Sequence, residues 1–136
     1  MSTITRFEEI EAWQTARELT RIIYLVTDEG KISRDFGLKD QIRRASVSVM
    51  SNIAEGFESK TQASFIHYLG IAKASAGEVR SQLYVARDVG FLAEQQFSTL
   101  FQLVEKASRQ LSRFISYLEA HPQSHRLKED TAVYEI

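Results

Sequence analysis

Apolar side chains recur at steps of three and four along four stretches of this chain, the period of helices that each bury one face. The first stretch carries Ile10, Trp13, Ala16, Leu19, Ile23 and Val26. It predicts a helix from about Glu8 to Asp28, closed near Glu29 by Gly30, a residue that can take the left-handed cap. A short polar connection over 31–35 leads to a second helix, roughly Phe36 to Phe57, with Gly56 near its end as a C-terminal glycine. Ser59 followed three residues later by Gln62 is a capping-box pattern, which starts a third helix near Lys60 or Thr61. Its stripe of Phe65, Leu69, Ala72, Ala76, Val79, Leu83 and Ala86 alternates four and three like a coiled-coil seam, and Gly90 supplies the stop. The fourth helix repeats the pattern with Phe97, Leu100, Val104, Ala107, Leu111, Phe114 and Leu118, and ends at His121 and Pro122.

The third helix spans about 28 residues, or ~42 Å at 1.5 Å per residue. It is joined to the fourth by only a few residues, so the two must pack antiparallel, and the first two helices need the same core. The expected fold is all-α: an antiparallel up-down-up-down four-helix bundle over 1–120 with long third and fourth helices, followed by a polar C-terminal tail over 121–136 that lacks a stripe.

Composition narrows the class. A length of 136 residues with 43% hydrophobic and 26% charged residues suits one globular domain, and a single proline with six glycines favours long helices. There is no cysteine, which removes disulfides, thiolate nucleophiles and Cys-type zinc sites and fits a reducing compartment. The first residues lack a secretory pattern and no apolar run approaches the ~20 residues of a membrane span, so a cytoplasmic protein without a membrane partner is expected. The net charge of −1 does not favour a polyanion, but from Ser59 to Leu118 seven cations stand against four anions. Lys73, Arg80 and Arg87 repeat every seven residues, and Lys106, Arg109 and Arg113 by three and four, so each set forms one helical stripe. Solvated faces commonly look like this; a phosphate-binding face is the alternative.

Between Gln41 and Gly56 a polar stripe of Gln41, Arg44, Ser48, Asn52 and Glu55 adjoins the apolar stripe of Ile42, Ala45, Val49 and Ile53. Short hydrogen-bonding side chains with poor helix propensity imply partners within the fold or in another molecule. Arg44, Ser48, Asn52 and Glu55 are expected to meet Ser75 and Glu78 of the third helix in one network, because a buried charge must find a partner. Gly70, Ala74 and Gly77 form a small strip, read as close packing inside the bundle or as a docking line for a neighbouring subunit's helix. Trp13 is expected to anchor the core.

Catalytic and metal-binding readings fare badly. No Walker loop, dinucleotide-binding glycine run or Glu-x-x-His pair is present, so no cofactor and no metal are expected. His67 lies mid-helix and is read as a surface or packing residue; His121 and His125 are four apart, but Pro122 between them breaks the helix that such spacing needs.

With those residues in hand, the chain resembles the four-helix bundle proteins encoded in intervening sequences of bacterial 23S ribosomal RNA genes. The resemblance rests on Phe7 with Ala12, Trp13, Gln14 and Ala16; on Gln41-Ile42-Arg43-Arg44-Ala45 running into Ser48 and Asn52-Ile53-Ala54-Glu55-Gly56; and on Ile71-Ala72 followed by Ser75 and Glu78. It implies a left-handed bundle, assembly as a ring-like homopentamer, no enzymatic activity, and association with nucleic acid or ribonucleoprotein, by analogy with a related accessory protein of diversity-generating retroelements. The family's polar motif falls here on Arg43, Arg44, Ser48, Asn52, Glu55, Ser75 and Glu78. Met50 stands where the family commonly has proline, which implies a straighter second helix. Ala74 stands where the family often has glycine.

The expected function is a non-enzymatic assembly protein, a homo-oligomer whose cations Lys73, Arg80, Arg87, Lys106, Arg109 and Arg113 contact RNA or DNA. The rival is a protein-interaction scaffold without nucleic-acid contact, whose sign would be an exposed apolar groove with the basic stripes scattered among separate faces.

Overall fold

The computed structural model describes residues 3–122 and 134–135. Four helices, α1 (Glu11–Thr27), α2 (Phe36–Glu58), α3 (Gln62–Asp88) and α4 (Glu94–Ala120), form an all-α bundle. The two-residue strands β1 (Thr3–Ile4) and β2 (Tyr134–Glu135) pair antiparallel beside it, with Ile4 opposite Tyr134. Most of the expected polar tail, including His125, lies outside the described residues.

Consecutive helices run antiparallel, because contact positions fall along one helix as they rise along the next. Thr20 of α1 donates to the Ser46 carbonyl of α2, while Thr27 meets the earlier residue Arg43. Ser48 of α2 meets Ser75 of α3, and Phe57 meets Phe65. Phe65 of α3 meets Phe114 of α4, and Tyr84 meets Phe97 and Phe101. All four apolar stripes converge on one core. Phe65 lies fully buried within it, edge-on to Phe57 at 6.1 Å and Phe114 at 5.3 Å, the geometry that ring quadrupoles favour. Trp13 is buried and takes the edge of Phe7 at 5.2 Å, as the periodicity anticipates.

The helix ends correct the sequence reading in four places. α1 begins at Glu11, not near Glu8, because 7–9 form a 3-10 turn and Ile10 is extended at φ −74° and ψ 123° with its side chain buried. Residues 31–34, expected as a plain connection, coil into a 3-10 turn that tucks Ile32 into the core. No Ser59–Gln62 capping box forms. Thr61 caps α3 by accepting from the Ser64 amide, Ser59 donates to the Gly56 carbonyl, and the Gln62 amide is taken by the carbonyls of Leu118 and His121 at the end of α4.

Gly56 is the fourth correction. Helix α2 runs two residues past it, and the positive-φ glycines are Gly30 at 69° and Gly90 at 77°. A Cβ on Gly56 would fall 2.9 Å from both Phe65 Cδ1 and Tyr68 Cβ, so this glycine exists to let α3 approach α2.

Candidate functional site

The close approach at Gly56 brings the polar stripe of α2 against α3. The Ser48 and Ser75 hydroxyls lie 2.8 Å apart, and Asn52 donates to both the Ser48 carbonyl (2.9 Å) and its hydroxyl (3.0 Å). Ser75 is buried and Ser48 and Asn52 are half-buried, so three of the six expected network members do form a bracket.

The charged members do not join it. Arg44 is 79% exposed in its side chain and pairs with Asp40 one turn earlier on α2, at 2.8 Å. Glu55 and Glu78 are exposed. Arg44 and Glu78 line opposite sides of a shallow open cleft with Gln41, Ala45 and Ser48. The expectation of a buried charge network is therefore corrected: these charges sit at the water boundary, where no burial forces them to pair.

Arg43 works on the other edge of α2. Its Nε donates to Thr27 Oγ1 at 2.8 Å and its Nη2 to the Tyr24 carbonyl at 3.2 Å, while the guanidinium lies 4.3 Å from the Tyr24 ring centroid and 3.8 Å from Asp28. A cation is thus held at the negative end of α1, where orphan carbonyls collect.

The six candidate phosphate-binding cations divide between two faces. Arg87 lies over Phe97 at 4.5 Å and Tyr84 at 5.3 Å, so Lys73, Arg80 and Arg87 mark the edge of α3 that borders α4. On α4 the edge bordering α3 is marked by Phe101, which touches Tyr84. At ~100° of rotation per residue, Arg109, Arg113 and Lys106 stand roughly 80° to 140° around from that edge. Lys73, Arg80, Lys106, Arg109 and Arg113 are exposed and form no ion pair among the described residues. Arg87 is half-covered by its aromatic neighbours and lies 3.7 Å from Asp88, so it is committed to packing. The stripes do not merge into one basic surface.

The outward face of α3 was the feature underread in the sequence. Gly70, Ala74 and Gly77 are exposed, and nothing lies within 4 Å of a Cβ placed on either glycine, so the strip is not packed inside the bundle. Beside it Ile71 is 36%, Val85 49% and Val89 55% exposed. Between His67 and Val89 this face carries only Glu78 and Asp88 as charges. Ordinary wet faces carry many more. The available signal was that apolar residues of α3 continue beyond its seam, at Ile71, Val85 and Val89.

His67 is exposed beside Tyr68, and no group of three potential metal ligands occurs among the described residues. Hydrogen bonds from Arg6 and Arg21 hold the exposed carboxylates of Glu8 and Glu18 below the usual range. No described helix is long and apolar enough to cross a membrane.

An all-helical bundle with an internal hydroxyl bracket and an apolar outer helix face belongs to the class of helical-bundle proteins, and the comparisons with known proteins narrow that class. The model of the 23S rRNA-intervening sequence protein family matches residues 8–113, and the chain belongs to that family. A solved structure from Bacteroides thetaiotaomicron, a protein of unknown function from the S23 ribosomal protein family, is similar at a TM-score of 0.71 and 23% identity. The match covers 77% of this chain and 95% of that one, and it bears on the fold alone. No curated protein matches the chain.

Proposed function

We propose that the protein is a non-enzymatic assembly module that joins other protein through the outward face of α3, in a homo-oligomer such as the ring of five that the family resemblance implies. The observation that carries this reading is the face itself: Ile71, Val85 and Val89 exposed alongside Gly70, Ala74 and Gly77, with two charges in some six turns. Apolar side chains left in water are costly, and small residues beside them let a second helix approach closely. Light scattering tests it. The wild-type chain should run as a multiple of 15.6 kDa, and Ala74→Glu, which puts a charge on an exposed position without touching the core, should lower the mass. A wild-type monomer at micromolar concentration would remove the proposal.

A second reading has its own observation. Lys73, Arg80, Lys106, Arg109 and Arg113 are exposed cations without an intrachain partner among the described residues, which favours contact with RNA or DNA phosphates. An electrophoretic shift on structured RNA at low salt tests it, and absence of a complex at micromolar protein would end it.

A further inference from the structure

We infer that the outward face of α3 in one copy of this chain docks against the outward face of α4 in the next, with Glu78 opposite Lys106. This deepens the assembly reading above by naming the surface that covers α3, and it competes with the nucleic-acid reading for the α4 cations.

Charge complementarity is the first argument. The charges on the α3 face are acids, Glu78 at the cleft it shares with Arg44 and Asp88 at 3.7 Å from Arg87, set among small, apolar and uncharged polar residues. The α4 face carries Lys106, Arg109 and Arg113, exposed and unpaired among the described residues, against the half-buried Glu105 at its edge, so it is basic on balance. Two α3 faces brought together would set acid against acid, and two α4 faces base against base. Only the unlike pairing joins opposite signs, and a contact between two different faces is heterologous, the kind that propagates around a ring.

Height along the bundle is the second. Within a chain Phe65 is level with Phe114, and Tyr84 with the Phe97–Phe101 turn, so Glu78 is level with about Leu103. A rotation axis parallel to the bundle keeps every residue at its own height in the neighbouring copy. Glu78 then lies about three residues, or ~4.5 Å of helix rise, from Lys106. By the same measure Arg109 falls level with about Ala72 and Arg113 with about Tyr68, on either side of Gly70, where the open space over that glycine accepts their aliphatic stems.

Closure is the third. Outward faces of neighbouring helices in a four-helix bundle point roughly 90° apart. Repeating a contact between two such faces closes after about four or five copies, since the corner of a square is 90° and that of a pentagon 108°. The proposed contact therefore yields a small ring and no open fibre.

Charge reversal tests the pairing. Glu78→Lys and Lys106→Glu, both at exposed positions, should each raise the concentration at which the assembly half-dissociates by about tenfold. The double variant Glu78→Lys/Lys106→Glu should return to within about twofold of wild type, and wild-type assembly should weaken with salt. If the single reversals leave the mass unchanged, or the double variant assembles more weakly than both, the α3–α4 contact is wrong. Ala74→Glu separates the two levels of the proposal: if it disperses the assembly while the reversals do nothing, α3 is the assembly face and its cover is some other surface. A monomeric wild type overturns both.

Discussion

The Ser48 hydroxyl on α2 lies 2.8 Å from the Ser75 hydroxyl on α3, and this bond ties together the two helices that Gly56 brings into close approach. Ser48 also accepts from Asn52, whereas Ser75 is buried with Ser48 as its hydroxyl partner. Ser75→Ala should cost about 1 kcal/mol, the usual net worth of such a bond plus its orphaned partner. For a domain of this size that is a Tm lower by roughly 4 °C. In a double-mutant cycle with Ser48→Ala, urea denaturation should give a coupling of about 1 kcal/mol. Additive losses would show that the hydroxyls do not support one another.

Gly56→Ala sets two effects against each other. Alanine would gain up to about 1 kcal/mol of helix propensity. Its Cβ, however, would fall 2.9 Å from Phe65 Cδ1 and Tyr68 Cβ and 3.3 Å from the Phe65 carbonyl, contacts that must be relieved by pushing α3 away. Overpacking of this kind costs about 1–3 kcal/mol, so the variant should be destabilised overall. Gly37→Ala is the control, because its Cβ would meet only Asp35 Oδ1 at 3.8 Å, and it should be neutral or stabilising. Chemical denaturation should show Gly56→Ala destabilised and Gly37→Ala not.

Adjacent arginines should behave differently. Arg43 splits its fork between the Thr27 hydroxyl and the Tyr24 carbonyl and stacks on the Tyr24 ring, whereas Arg44 makes an exposed pair with Asp40. Arg43→Ala should cost about 1–2 kcal/mol, and Arg43→Lys should recover only part of it, since an ammonium cannot reproduce the fork. Arg44→Ala should change stability by less than about 0.5 kcal/mol. Equal losses at both positions in thermal unfolding would contradict the structure.

These contrasts also mark where the sequence was legible. Periodicity in Phe65–Ala86 and Phe97–Leu118 placed the seams of α3 and α4, because burying a face demands apolar residues at fixed helical steps. It could not separate Arg44 from Arg43, since a one-residue step moves a side chain ~100° around a helix and only the position of α1 decides which one is sheltered. Gly56 read as a stop because its true reason, the ring of Phe65, comes from another helix. The strip at Gly70, Ala74 and Gly77 kept two readings, packing inside the bundle or a docking line for a neighbouring helix, because small residues suit a close contact on either side of a helix. Ile71, Val85 and Val89, outside the seam, were the sign that the strip faces outward.

The separation of the basic stripes makes the nucleic-acid reading quantitatively testable. A single RNA strand tracking one face can engage Lys73 and Arg80 or the α4 set, but it must cross a corner of the bundle to reach both. Each neutralised phosphate contributes about −0.7 to the slope of log affinity against log salt for a single strand. If α4 is the binding face, replacing Lys106, Arg109 and Arg113 together by glutamine should flatten that slope by about 2 and weaken binding alike for all sequences. Replacing Lys73 and Arg80 should leave the slope unchanged. Arg87 should be dispensable for binding yet needed for stability, because its guanidinium is spent on Phe97 and Tyr84. Shift assays over a salt series with these three variants, at protein concentrations where the assembly state is held constant, distinguish α4 from α3. If both sets contribute equally, the ligand spans the corner. If neither changes the slope, the cations are solvated faces and the bundle does its work through protein contacts alone.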